Sequence, residues 1–584
     1  MDAQVGSLSE EEEKILTHFS NLYGPKKSLE CLSRLKEVFK NYGFNLKKSK
    51  KERDVWDETD AVLVTYGDVI QGDGEPEKPS LPILESFLDE YLQDVISTVH
   101  ILSFFPSSSD AGFSVIDYKK VREDLGSWED IQRISDKYRL MTDLVINHAS
   151  RFNDWFKNYQ DGVSPGKDYF ISVDPNDDLS AVTRPRSSPL LSTVRTKDGL
   201  RHLWTTFSAD QIDFDFSNPD VLFEFIDIFF FYYKKGIRVF RLDAIAYLWK
   251  KIGTHCIHLE ETHEIVKLFR TIVECIDPDI TLITETNVPL EENLSYFGDQ
   301  DETHMVYQFS LPPLLLHAIL TENSQYLTEW AIEMPDLPEG SLFLNFTASH
   351  DGIGVRPLEG LVPQDEFDYL VRSTKERGGF VSYKKNEDNG QSPYELNITY
   401  FDAFEEPGNP NTKIQIQRYL CSQIIMLSLK GVPGIYFHNL TSTNNDMERV
   451  LESGEKRDIN RKQWQRDELL EFIEGKNEKG YCALNDYKKL LKERRKHPAF
   501  HPSADQKTVN IDDQLFAFLR VSLDETEKIA VISNISSAQR TLKADKLTEL
   551  EIREERIKDL ISKKTVLKNG LLKLDPFQTV WLPV

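Results

Sequence analysis

The chain has 584 residues, with 40% hydrophobic and 11% aromatic side chains, enough for two or three domains around a large core. Its 70 basic and 96 acidic side chains leave a formal charge of −26, which argues against nucleic acid as a partner, because phosphate backbones need clustered Lys and Arg. The five cysteines (Cys31, Cys256, Cys275, Cys421 and Cys482) are odd in number and lack CxxC spacing, so neither a disulfide framework nor a metal site is expected.

In chain order, residues 1–53 predict a helical, peripheral segment, with a basic stretch at 47–53 that reads as a solvated face. The first thirteen residues lack the pattern of a secretion leader, and the longest apolar run, 226–233, is too short for a bilayer. A cytoplasmic protein with no membrane partner is expected. From residue 54 to 500, short apolar runs alternate with helix-length amphipathic segments. The strand candidates are 61–65, 99–105, 140–147, 236–243, 281–286, 305–309, 342–350 and 431–437. Eight such strands imply an α/β fold with a parallel sheet. Periodicity alone does not separate a (β/α)8 TIM barrel from a doubly wound open sheet. Two inter-strand segments, 158–217 and 354–410, exceed a helix and a turn, and long insertions at the C-terminal ends of barrel strands usually build substrate sites. Residues 501–584 change to short alternating runs, which predict a small antiparallel β domain.

Polar residues gather at the strand ends. The third candidate closes Asp143-Leu-Val-Ile-Asn147-His148, and the fourth Arg241-Leu-Asp243. Glu285 ends the fifth, and His350-Asp351 ends the seventh. Arg241 and Asp243 are two apart on a strand and so share a face. An Asp and a Glu on adjacent strands can approach to about 5–5.5 Å, the separation for retaining glycoside chemistry. One must attack ionised, and Arg241 supplies a positive charge to Asp243. The other must begin protonated, which needs a drier site. Singly, each residue has a plainer explanation as a helix cap, a structural ion pair or a core histidine. Together, in this order, those explanations become improbable.

These segments resemble the four conserved regions of the α-amylase superfamily, glycoside hydrolase family 13, over roughly residue 54 to the C-terminus. The resemblance implies a TIM barrel, with Asp243 as nucleophile, Glu285 as acid/base and Asp351 as transition-state stabiliser. It implies that Asp143, Asn147, His148, Arg241 and His350 shape a glucose subsite. Relatives that serve as transporter subunits lose the three carboxylates, so a binding-protein role is disfavoured. The segments Phe104-Phe105-Pro106 to Val115, Gly126-Ser127-Trp128, Gln211-Ile-Asp213-Phe-Asp215 and Arg457-Asp458-Ile459-Asn460-Arg461 resemble the sucrose phosphorylase branch. There the matches of Asp110 and Arg457 grip the glucose from its far side, and that of Phe113 lies against it. The Asp458–Arg461 turn has an alternative role as a mere buttress.

Within that branch, Thr183-Arg184-Pro185-Arg186, Leu203 to Ser208, Cys256 to His263 and His304 to Pro313 resemble the glucosylglycerate phosphorylases. Ser103, where the branch usually has proline, Asp301-Glu302-Thr303 and residues 439–446 depart from the pattern. The implied reaction is retaining phosphorolysis of an α-glucoside to α-glucose 1-phosphate, with inorganic phosphate as co-substrate and no cofactor. The preferred substrate is 2-O-α-glucosyl-glycerate, with sucrose or sucrose 6′-phosphate as alternatives and an α-glucosidase as a further one. Phosphate and glycerate are anions, so Arg184, Arg186 and Arg356, with His263 as a lesser candidate, are the cationic side chains expected to receive them.

Overall fold

The computed structural model describes residues 8–48, 55–74, 78–385, 390–408, 411–475 and 478–584, the side chains of 478–482 aside. Residues 49–53 of the basic stretch, and the side chain of Cys482, lie outside that description. Eight parallel strands close into a barrel: β1 (Val62–Thr65), β2 (Thr98–Ile101), β3 (Arg139–Leu144), β4 (Ile237–Leu242), β5 (Thr281–Thr284), β6 (Met305–Tyr307), β7 (Leu342–Phe346) and β8 (Val432–Tyr436). Closure rests on β8 pairing with β1, Val62 opposite Gly434. That pairing removes the sheet edges and decides between the two architectures left open by the apolar periodicity. All eight strands fall on predicted runs. The ladder nonetheless ends earlier than expected at β2, β3 and β7, at Ile101, Leu144 and Phe346.

Helix α1 (Glu10–Tyr42) starts on a capping box between Ser9 and Glu12, with four glutamates in its first turn facing the positive end of the helix dipole. The backbone breaks from helical angles at Gly24, just before Pro25. Its apolar stripe, Ile15, Phe19, Leu32, Leu35 and Phe39, is buried in the same core as the barrel. Phe19 packs on Phe223 and Phe39 on Phe230, both from α2 (Pro219–Lys234), and His18 bonds Glu264 of α3 (Glu260–Ile276) at 3.0 Å. The segment expected to be peripheral is therefore a second layer outside the barrel helices. Each buried phenylalanine contributes about 1.5–3 kcal/mol to holding it there.

Both insertions rise over the C-terminal ends of the strands. In the first, a hairpin pairs Leu191–Thr196 with Gly199–Trp204, and Gln211–Asp213 pairs with His148–Ser150 just past β3. In the second, Gln391–Asn397 is the middle strand of a three-stranded sheet between Ile353–Gly354 and Phe380–Lys385. The C-terminal region forms two four-stranded antiparallel sheets over a shared apolar core that includes Leu515, Ile532, Leu542 and Leu567.

Candidate active site

The barrel mouth and the two insertions enclose a cleft with about 740 Å³ of space between protein atoms, part of it open to solvent. Asp243 and Glu285 follow directly on β4 and β5, whose pairing sets Leu242 opposite Thr284 and so brings the two carboxyls to the same level. Asp351 reaches the cleft from the loop beyond β7. The loop's backbone is held from behind: Asn460 donates to the Ser349 carbonyl at 2.7 Å and Arg461 Nε to the His350 carbonyl at 2.8 Å. Part of the Asp458–Arg461 turn is thus a buttress, while Arg457 points into the cleft.

Arg241 is the electrostatic centre below the cleft floor. Its Nη1 lies 2.7 Å from both Asp143 and Asp243, and its Nη2 is 3.6 Å from Glu285. One guanidinium thus serves three carboxylates. Burial tends to raise the Asp143 carboxyl, but His100 and Arg241 together hold it far below the usual range. The protective charge expected for Asp243 is correspondingly divided. Burial pushes Asp243 up to about 7 despite the Arg241 contact, and burial pushes Glu285 up to about 7 as well. Two buried carboxyls that repel each other share one proton near neutral pH. Arg241 is closer to Asp243 than to Glu285, so that proton belongs on Glu285, whose Oε2 accepts the Ala244 amide at 3.2 Å. Asp351 behaves oppositely. Its burial is outweighed by Arg457 at 2.6 Å, which keeps it ionised.

Among the described residues, no group of three or more His, Cys, Asp or Glu side chains is placed to hold a metal ion. His350 is pushed down to about 3 and His148 is lowered, in both cases chiefly by burial, so both are neutral, and His148 Nε2 bonds the Phe113 carbonyl at 2.9 Å. The Phe113 ring stacks on His350 at 4.9 Å and forms part of the wall. Phe113 is presented by three successive residues with positive φ, Asp110, Ala111 and Gly112. At Gly112 a Cβ would lie 2.3 Å from the Ser103 carbonyl, so only glycine permits this close approach. Ser103 itself donates its amide to Asp143 at 2.9 Å, a bond that a proline there would lack.

The α-amylase catalytic-domain family matches residues 87–339. A glucosylglycerate phosphorylase of Spirochaeta thermophila is 44% identical over 525 residues, 89% of each chain. One of Escherichia coli K12 is 39% identical over 573 residues, 98% of this chain and 100% of the relative. The chain belongs to the glucosylglycerate phosphorylases of the α-amylase superfamily. The fold agrees with the crystal structure of sucrose 6F-phosphate phosphorylase from Thermoanaerobacter thermosaccharolyticum, at 24% identity and a TM-score of 0.71 over 88% of this chain and 98% of that one.

Of the residues picked out in the sequence, Asp110, Phe113, His148, Arg186, Asp243, Glu285, His350, Asp351 and Arg457 line the cleft. Asp143, Asn147 and Arg241 lie one layer beneath it, at most 3% exposed. Three cationic candidates are not among the lining residues. His263 stacks on Tyr296 and bonds Glu302 at 2.8 Å. Arg356 is drawn to Glu292 at 3.6 Å. Arg184 is half-buried near Arg186, on the other side of the intervening proline. Several contributors escaped the sequence reading. Lys250 is buried between the Asn147 amide oxygen (2.6 Å) and Asp213 (2.7 Å). Tyr247, from a short helical turn beyond β4, and Tyr394 and Glu395, from the middle strand of the second insertion, line the cleft, and His100 braces Asp143 from β2.

Proposed function

We propose that this protein catalyses the reversible, retaining phosphorolysis of 2-O-α-glucosyl-glycerate to α-glucose 1-phosphate and glycerate. The observation that carries the reading is one cleft holding Asp243, Glu285 and Asp351, in a chain that matches glucosylglycerate phosphorylases over almost its whole length. The ionised Asp243 attacks the anomeric carbon and forms a β-glucosyl ester, while Glu285 protonates the departing glycerate oxygen. Inorganic phosphate then gives a proton to Glu285 and displaces Asp243, restoring the α configuration. Asp351, kept anionic by Arg457, faces the positive charge that builds on the sugar ring in both steps. Asp110 and Arg457 hold the far side of the glucose, and Arg186 is the cation of the anion subsite. The chemistry assigned to these side chains needs no cofactor. No helix among the described residues is long and apolar enough to cross a membrane, and the substrates are small molecules.

The test is synthesis from glucose 1-phosphate with glycerate, glycerol and fructose offered in parallel. Glycerate is expected to be preferred over glycerol by about tenfold or more, because a site built for a carboxylate rejects the analogue lacking it. A preference for fructose would make this a sucrose phosphorylase. Free glucose as the main product at millimolar phosphate would make it a glucosidase.

A further inference from the structure

Five carboxyls line the cleft, those of Asp110, Asp243, Glu285, Asp351 and Glu395, against two guanidiniums, those of Arg186 and Arg457. A phosphate or glycerate anion entering such a site needs a cation that is not already committed. Arg457 is committed. Its Nη1 is 2.6 Å from Asp351, and its Nη2 and Nε reach Glu395 as a fork, at 2.5 and 3.1 Å. All three of its nitrogens are therefore engaged. Arg186 is held loosely. Its Nη1 lies 3.7 Å from the same Glu395, too long for a hydrogen bond, its guanidinium rests 5.6 Å from the Tyr394 ring centre, and its side chain stays 26% exposed.

Glu395 itself is 3% exposed and rigidly placed. Its strand approaches so closely that a Cβ on Gly352 would lie 3.0 Å from the Glu395 Cβ and 2.9 Å from the Leu396 carbonyl. One carboxylate of the second insertion thus meets an arginine of the first insertion and the arginine beyond β8. We propose that Glu395 is a positioning residue that sorts these two guanidiniums, committing Arg457 to Asp351 and leaving Arg186 free to receive the incoming anion. The inference rests on the phosphorolysis reading, since it assigns the anion that Arg186 receives.

Glu395→Gln keeps the shape and removes the charge. Arg186 then loses a competing anion, and Arg457 is left with Asp351 at 2.6 Å and the more distant Asp110 at 3.9 Å. The expected result is a KM for phosphate lowered about threefold or more together with a kcat lowered about tenfold or more, a split that lost packing does not produce. In Arg186→Gln the KM for phosphate should rise about tenfold, and Glu395→Gln added to it should no longer lower that KM. A fall in kcat with an unchanged phosphate KM, at an unchanged unfolding temperature, overturns the proposal. So does a double variant that still gains phosphate affinity. If Glu395→Gln does not fold, the single Arg186→Gln variant decides, an unchanged phosphate KM again being fatal. Wild-type protein that makes no glucose 1-phosphate would sink the phosphorolysis reading instead, so the two failures are distinguishable.

Discussion

Asp243 and Glu285 carry a consequence for pH dependence, because burial pushes both carboxyls up to about 7. The proposed mechanism needs the pair with a single proton, on Glu285. Raising the pH through the upper limb removes that proton and with it the acid that assists departure of glycerate. Lowering the pH adds a second proton and neutralises Asp243 as nucleophile. A bell-shaped kcat/KM is therefore expected, its alkaline limb within about one unit of pH 7 and its two apparent values belonging to the pair. Glu285→Gln should lower kcat/KM on glucosyl-glycerate by about 10²–10⁴-fold while largely sparing α-glucosyl fluoride, whose leaving group needs no proton. An equal loss on both donors would move the acid to another group. Asp243→Asn should leave no turnover of either donor, and persisting near-native rates would remove Asp243 from the chemistry.

Lys250 ties three elements together at the rim. It follows β4, and its ammonium bridges Asn147, beyond β3, and Asp213, in the first insertion. Asp213 also accepts from the Thr206 amide and hydroxyl at 2.9 and 2.6 Å, so the joint fixes the segment that pairs with His148. Burial lowers the Lys250 pKa, against the pull of Asp213. Replacing Lys250 by Met should leave the buried Asp213 charge without its counter-ion, at a cost of about 3–5 kcal/mol. Urea unfolding measures this, and an unchanged midpoint would show that the bonds from Thr206 and Asn147 suffice.

Across the whole molecule, the C-terminal sheets are fastened to the barrel by buried polar contacts as well as apolar ones. Arg520, fully buried, donates to the carbonyls of Ser428 at 3.0 Å and His501 at 2.7 Å, while Trp581 Nε1 bonds the Ser428 hydroxyl at 2.8 Å. Ser428 ends the helix Thr412–Ser428, which precedes β8. Burial, helped by the neighbouring Arg494 charge, pushes the Arg520 guanidinium down to about 9, and its bonds go to carbonyl groups. Arg520→Met should strand these carbonyls and cost about 2–4 kcal/mol, read as a lower denaturant midpoint. A variant as stable as wild type would mean that the apolar contacts, such as Phe500 against Trp581 at 4.6 Å, carry the junction alone.

The sequence by itself determined the eight strands and the three carboxylates at their ends. Both signals are local: apolar runs of strand length, and polar residues that stop them. It also located the two insertions and the antiparallel C-terminal region, through segment length and alternation. Only the tertiary structure decided that the sheet closes, since closure is the pairing of β8 with β1, Val62 with Gly434, 372 residues further along the chain. It alone sorted the cationic candidates, keeping Arg186 in the cleft and sending His263 and Arg356 to Glu302 and Glu292. Charge in a sequence has no address until the chain folds. For the same reason Lys250, His100 and Glu395 were illegible: each acts through a partner far along the chain, and a burial that no periodicity encodes. The raised pKa of Asp243 belongs with them. Arg241 two residues away promised a protected carboxylate, but folding made that one guanidinium answer to Asp143 and Glu285 as well.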